Sequence, residues 1–179
     1  QLMVYGDHSF GQGTFVEGTA SYGIGRIDSQ RHDVGGVSGL NARASYDADI
    51  YSARAAIGQT IPVMGATLTP KVYAEYVVFS PDNYTETGAG SANLSVNQDD
   101  SKRTNLGGEV ELAKAYVMYD GSVLRPSVNV GDKHNTSTDA VNSTTSFAAG
   151  GGSFVVNGAK PEDDIFTAGG EVVHTIGRS

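Results

Sequence analysis

Residues 68–96 read LTPKVYAEYVVFSPDNYTETGAGSANLSV, and they contain the clearest strand periodicity in the chain. From Leu68 to Val78 the even positions are apolar or aromatic, whereas Lys71 and Glu75 occupy odd positions. Successive side chains of a strand point to opposite faces of the sheet. The stretch therefore predicts a strand of about 11 residues with one apolar face and one face that carries charge.

The same alternation recurs along the chain and predicts about nine or ten strands and no helix. Residues 40–46 and 51–57 carry apolar side chains in opposite phase on either side of Asp47, Ala48 and Asp49. This phase flip predicts an antiparallel hairpin with its turn at those three residues. The polar residues 25–39 predict a solvated loop or strand tips, and the Ser, Thr and Asn tract at 135–145 predicts a loop.

Composition places the chain in the all-β class. The 179 residues include 24 glycines and no cysteine, and nothing divides residues 1–179 into more than a single domain. A net charge of −8 argues against a nucleic-acid partner, because such binding needs clustered Lys and Arg. No apolar run approaches the roughly 20 residues of a spanning helix, but alternating strands of a membrane barrel need no such run.

Charged residues recur in the middle of the predicted strands, among small polar neighbours. A soluble sandwich would point its polar faces into water, whereas a transmembrane barrel has charged side chains toward a wet lumen and apolar ones toward lipid. Strands of this length also match a tilted crossing of a bilayer. The candidates for a lumen-facing position are Glu17, Arg43, Arg54, Lys71, Glu75, Glu109, Glu111, Arg125 and Glu171.

Tyrosines near the predicted strand ends also suit a barrel, because interfacial girdles favour an apolar ring with a polar tip. The tyrosines concerned are Tyr5, Tyr22, Tyr46, Tyr51, Tyr76 and Tyr84.

No motif indicates catalysis, a cofactor or a metal. The sequence has no Gly-x-Ser-x-Gly elbow, no phosphate loop and no dinucleotide fingerprint. Asp7 next to His8 and His32 next to Asp33 are adjacent pairs, and adjacent strand residues point apart. We therefore expect no catalytic, cofactor-binding or metal-ligating residue.

Several segments taken in order resemble the translocator β-domain of the autotransporters, which are outer-membrane β-barrels of Gram-negative bacteria. These segments are residues 52–58, 69–76, 84–89, 94–96, Arg103 with 106–110, 125–128, 153–159 and 164–170. The resemblance implies an antiparallel up-and-down transmembrane barrel, of which this chain would be an internal part that lacks the first and last strands.

The resemblance also implies a non-enzymatic function: to anchor and help export an N-terminal passenger polypeptide. Implied partners are the lipid bilayer of the outer membrane, the passenger domain and the barrel-assembly machinery. Two alternatives share the strand pattern, namely a soluble or surface-exposed β-sandwich that acts as a binding or adhesion module, and a passive porin-like barrel.

Overall fold

The computed structural model describes residues 1–137, 142–158 and 162–176. Within these ranges it contains strands and three single turns of 3-10 helix, at Gly11–Gly13, Val34–Gly36 and Gly90–Ala92. None of the described helices is long and apolar enough to cross a membrane. In chain order the strands are β1 (Leu2–Ser9), β2 (Thr14–Arg31), β3 (Ala42–Gln59), β4 (Ile61–Val63), β5 (Ala66–Pro81), β6 (Tyr84–Thr85), β7 (Leu94–Gln98), β8 (Ser101–Ala113), β9 (Tyr116–Val117), β10 (Val123–Asn135), β11 (Asn142–Phe147), β12 (Ser153–Asn157) and β13 (Asp164–Thr175).

The long strands form one antiparallel meander, which we call the main sheet. Its order is β1-β2-β3-β5-β8-β10-β13, and the short strands β4 and β9 pair with β5 and β10. Each long strand thus lies beside the long strands that precede and follow it in the chain. The predicted all-β, antiparallel up-and-down architecture is confirmed, as a curled sheet that forms part of a barrel. Among the described residues, β1 and β13 each pair on one side only.

The connections of the main sheet differ in length between its two ends. At one end, the short-turn end, the chain turns through residues 10–13, 60–65 and 114–122. The turn between β4 and β5 has positive φ at Met64 and Gly65, a geometry that suits a tight hairpin. At the other end, the long-connection end, the chain passes through residues 32–41, 82–100 and 136–163. Outer-membrane barrels have this asymmetry, with short periplasmic turns and longer extracellular loops.

The hairpin predicted at Asp47, Ala48 and Asp49 is wrong. These residues lie inside β3, which runs for 18 residues and pairs with β2 along its whole length. The phase flips because the surroundings of the strand change there. From residue 51 to residue 57 the apolar side chains face outward, whereas Ala42, Ala44 and Tyr46 lie on the other face. There Ala42 packs against Val34 and Ala89, and Tyr46 stacks on Tyr84.

Of the two alternatives for residues 25–39, the first part is a strand tip, because β2 continues to Arg31. In that part Arg26, Asp28 and Gln30 alternate with half-buried residues of the opposite face. The loop predicted over residues 135–145 is wrong for Asn135, which ends β10, and for residues 142–145, which belong to β11. Another part of it falls on residues 138–141, and the 153–159 motif ends at residue 159. Both of these parts lie outside the described residues.

A second, four-stranded sheet stands at the long-connection end, and we call it the loop sheet. Its order is β12-β11-β7-β6. β6 and β7 belong to the connection between β5 and β8, whereas β11 and β12 belong to the one between β10 and β13. Two separate connections of the main sheet are therefore joined by antiparallel pairing of β7 with β11.

Candidate functional site

Eight of the nine charged residues singled out from the sequence share one face of the main sheet. Directly paired residues of neighbouring strands have their side chains on the same side. The register pairs Arg54 with Glu75, Lys71 with Glu109, and Ser127 with Glu171. Thr19 pairs with Arg54 and Asn129 with Glu111, which connects β2 and β10 to the same face. Counting by twos along each strand from these pairs gives the members of the charged face: Glu17, Arg54, Lys71, Glu75, Glu109, Glu111, Arg125 and Glu171.

Most of these charges form ion pairs across the strands. Lys71 Nζ lies 3.0 Å from Glu17 Oε1 and 3.9 Å from Glu109 Oε2. Arg54 Nη2 also lies 3.9 Å from Glu109 Oε2. On the neighbouring strands Arg125 pairs with Glu111. Lys71 and Glu109 are directly paired, and opposite charges at such positions stabilise a sheet, so this pair favours the observed register. The Lys71–Glu17 and Arg54–Glu109 pairs each join two strands that have another strand between them.

Three further residues complete the charged face, and none of them was among the nine candidates. The guanidinium of Arg54 stacks on the ring of Tyr73, with Cζ 3.8 Å from the ring centroid. Asn105 Nδ2 donates a 2.9 Å hydrogen bond to Glu75 Oε2, and Lys133 Nζ lies 4.0 Å from the same atom. Lys133 could have been found, because it continues the odd positions of Arg125, Ser127 and Asn129 beyond Gly131.

The charged face is the shielded, concave side of the main sheet. The side chain of Lys71 is 21% exposed, whereas the adjacent Val72 on the other face is 60% exposed. A cavity of about 600 Å³ is lined by Met3 and Tyr5 on the edge strand β1 and also by Arg125 on β10. Residues of β1 and of β10, the sixth strand along the path of the sheet, thus line one cavity on this side. The Lys71–Glu17 ion pair joins β5 to β2 across the intervening β3, so the charged side chains converge on this face.

The opposite, convex face is apolar in the half of the sheet nearer the short-turn end. Water-soluble proteins bury such a face, and a large exposed apolar surface indicates contact with a membrane or a partner. The large apolar residues exposed there include Ile57, Val72, Leu106, Val110, Leu112, Val128, Val130 and Val172.

Tyrosines lie along the border of the apolar band that is nearer the long-connection end, and we call this line the tyrosine border. Tyr22 pairs with Tyr51 across β2 and β3, with ring centroids 5.0 Å apart, and Tyr22 donates a 2.8 Å hydrogen bond to Asp49. Tyr76 continues the same border on the next strand, β5. Of the other tyrosines predicted for a girdle, Tyr5 lies on the charged face, and Tyr46 stacks on Tyr84 within the molecule.

Arg43 is the one candidate that the structure does not bring to the charged face. Because β3 is continuous, Arg43 at an odd position lies on the face opposite Arg54, and it is exposed. It also lies between the tyrosine border and the long-connection end, where its backbone forms an isolated bridge with Thr87. Arg43 was among the candidates because the predicted hairpin puts it on the same polar face as Arg54.

A buried ion pair stands apart from the charged face, at the long-connection end. Glu86 is 4% exposed, and it accepts hydrogen bonds from Arg31 Nε at 2.7 Å and Arg31 Nη2 at 2.5 Å. The Leu94 amide donates a further 2.9 Å bond to Glu86 Oε2. The hydrogen bonds from Arg31 lower the pKa of Glu86 below its ordinary value, burial opposes that effect, and the Leu94 amide adds to it. No sequence signal pointed to this pair.

A curled antiparallel meander with a charged concave face and an apolar convex face defines the class of outer-membrane β-barrels. The chain belongs to the autotransporter β-domain family, since the family model described as "Autotransporter beta-domain" matches residues 1–179. It is thus a transmembrane translocator-type domain of the bacterial outer membrane.

One relative extends this comparison. Outer membrane protein B of Rickettsia japonica is 31% identical over 111 residues, which amount to 59% of this chain and 7% of that protein. The chain therefore spans a small part of the length of the curated relative that it matches.

Proposed function

We propose that this domain anchors an N-terminal passenger polypeptide in the outer membrane and helps to export it, without being an enzyme itself. The observation that carries the proposal is the inverted polarity of the main sheet. Its charged side chains are shielded on the concave face, and its apolar side chains are exposed on the convex face. Membership of the autotransporter β-domain family supports the export function.

In this proposal residues 1–179 form part of one barrel domain, and the charged face lines its lumen. Glu17, Arg54, Lys71, Glu75, Glu109, Glu111, Arg125 and Glu171 then face an aqueous interior. Such a wall suits the passage of an extended polypeptide, because the paired charges satisfy one another and bind no single sequence tightly. Insertion of the domain would depend on the barrel-assembly machinery of the outer membrane.

The soluble β-sandwich is disfavoured by the same exposure pattern. A sandwich packs the apolar faces of its two sheets against each other. Here the loop sheet covers the charged side of the main sheet at the long-connection end, and the apolar band on the other side stays uncovered. The passive porin-like barrel shares the wall and differs only in having no passenger.

The experiment is surface display of the passenger in a Gram-negative host that expresses the full-length protein with an epitope tag near the start of the passenger. External protease should remove the tag from intact cells, and deletion of the β-domain should leave the tag protected in the periplasm. A barrel that assembles in the outer membrane while the tag stays protected would contradict the export function.

A further inference from the structure

The loop sheet lies over the concave face of the main sheet, where that face reaches the long-connection end. Tyr46, on the concave side of β3, stacks on Tyr84 of β6 with ring centroids 4.5 Å apart and planes 7° apart. The register puts Val96 and Thr145 on the same face of the loop sheet as Tyr84. Both are buried, at 7% and 3% exposure, so this face of the loop sheet packs inward.

Small apolar residues seal the contact between the connection 82–100 and the main sheet. Ala42 on the concave side of β3 is fully buried, and it packs with Val34 and with Ala89 of the connection. Leu40 and Ala92 pack around this cluster. Because four of these five residues are alanine or valine, the cluster buries little area, and we expect it to be weak by itself.

The Arg31–Glu86 pair fastens the same connection to the end of β2. Arg31 is the last residue of β2 and lies directly opposite Ala42, on the concave side. Its guanidinium binds both carboxylate oxygens of Glu86, and Nη2 donates a 3.1 Å bond to the Ala92 carbonyl. One side chain of the barrel wall thus holds two points of the connection that carries β6 and β7.

We propose that the loop sheet is a lid over the long-connection mouth of the lumen and that the Arg31–Glu86 pair is its latch. The lid restricts access to the concave face from that side, and it must move when the mouth is open. This inference rests on the proposed assignment of the concave face to the lumen.

The test uses cysteine labelling on intact cells that express the full-length protein, since the 179 residues of this domain contain no cysteine. Ala42→Cys reports on the covered surface under the lid, and Ser45→Cys, on the exposed face of the same strand, reports on general access. The reagent is a membrane-impermeant maleimide at neutral pH. Glu86→Gln removes the charge of the latch, and Asp28→Asn, at an exposed position of β2, removes a charge elsewhere at the same end.

With the latch intact, Ala42→Cys should be labelled much more slowly than Ser45→Cys. Glu86→Gln should raise the labelling rate of Ala42→Cys roughly tenfold or more, the effect of losing charge-assisted hydrogen bonds in a buried pair, and Asp28→Asn should leave it unchanged. Equal labelling of the two cysteines in the parent would overturn the lid. An unchanged rate in Glu86→Gln would overturn the latch.

Passenger display, measured in the same cells, separates the two proposals. Suppose that the passenger is displayed normally but Ala42→Cys in the parent is labelled as fast as the open state predicts. That result would contradict the lid and leave the export function standing. Protected Ser45→Cys on intact cells would mean that the long-connection end is not on the cell surface, and it would contradict the lid together with the orientation of the domain.

Discussion

At the scale of single residues, charge is stabilised in this domain by close pairing. Lys71 lies between Glu17 and Glu109, and Arg54 between Glu109 and the ring of Tyr73. Removal of one member would leave half-buried partners without compensation. The arrangement therefore keeps a charged wall inside a curled sheet without a large desolvation penalty.

The ionisation of Glu86 predicts a loss of stability in acid. Its pKa in the folded protein lies below that of the same carboxyl in the unfolded chain, chiefly because Arg31 donates hydrogen bonds to the carboxylate. The stabilisation is therefore complete above the unfolded pKa and is lost as the pH falls through the lowered folded pKa. We expect the connection 82–100 to become sensitive to an acid-active protease from about pH 4 downward.

The matched variant for that experiment is Glu86→Gln, which cannot ionise. Its connection should be cleaved readily at neutral pH by a protease that is active there. Its cleavage rate relative to that of the unfolded protein, measured at each pH, should change little as the pH is lowered. A parent protein whose cleavage rate in the connection is independent of pH would contradict the assigned role of the pair.

At the scale of elements, each long strand crosses two environments. β2 and β3 have 18 residues each, whereas a tilted crossing of a bilayer needs about 9–11. The remainder projects past the tyrosine border, and there the apolar side chains turn from the convex to the concave face. Arg26 and Asp47 face outward in the projecting part, and Tyr46 faces the loop sheet.

This change of environment explains which elements could be predicted from the sequence. The strand at 68–78 was predicted well, because nearly all of it lies within the apolar band and keeps one phase. β3 was misread as a hairpin because its phase reverses at Asp49, and a single sequence does not distinguish a turn from a strand that leaves the membrane. Arg43 was misplaced for the same reason.

Two arginine substitutions on β5 test the assignment of its faces. Ala74→Arg puts a charge in the middle of the exposed apolar band and should destabilise the folded domain by about 2–4 kcal/mol. Thr69→Arg puts the same charge on the concave face, opposite Glu111, and should cost less than about 1 kcal/mol. Urea unfolding of the complete β-domain in lipid vesicles measures both, and equal costs for the two variants would contradict the assignment.

At the scale of the whole molecule, alternation and the ordered motifs were enough to predict an antiparallel membrane barrel and eight residues of its charged face. The pairing of residues across the strands could not be predicted, because it depends on register and on the curl of the sheet. The loop sheet was missed as well. Its strands come from connections that are distant in sequence, and β7 and β11 meet only when the main sheet brings those connections to one end.

The central claim is that the concave charged face meets water and the convex apolar face meets lipid. It is tested most directly by single cysteines at each position from 69 to 76 in β5 of the full-length protein, labelled with an environment-sensitive fluorophore in reconstituted vesicles. Brominated lipid should quench the even positions, including Val72 and Ala74, and aqueous iodide should quench the odd positions, including Lys71 and Glu75. The opposite phase, or quenching without a period of two, would contradict the account.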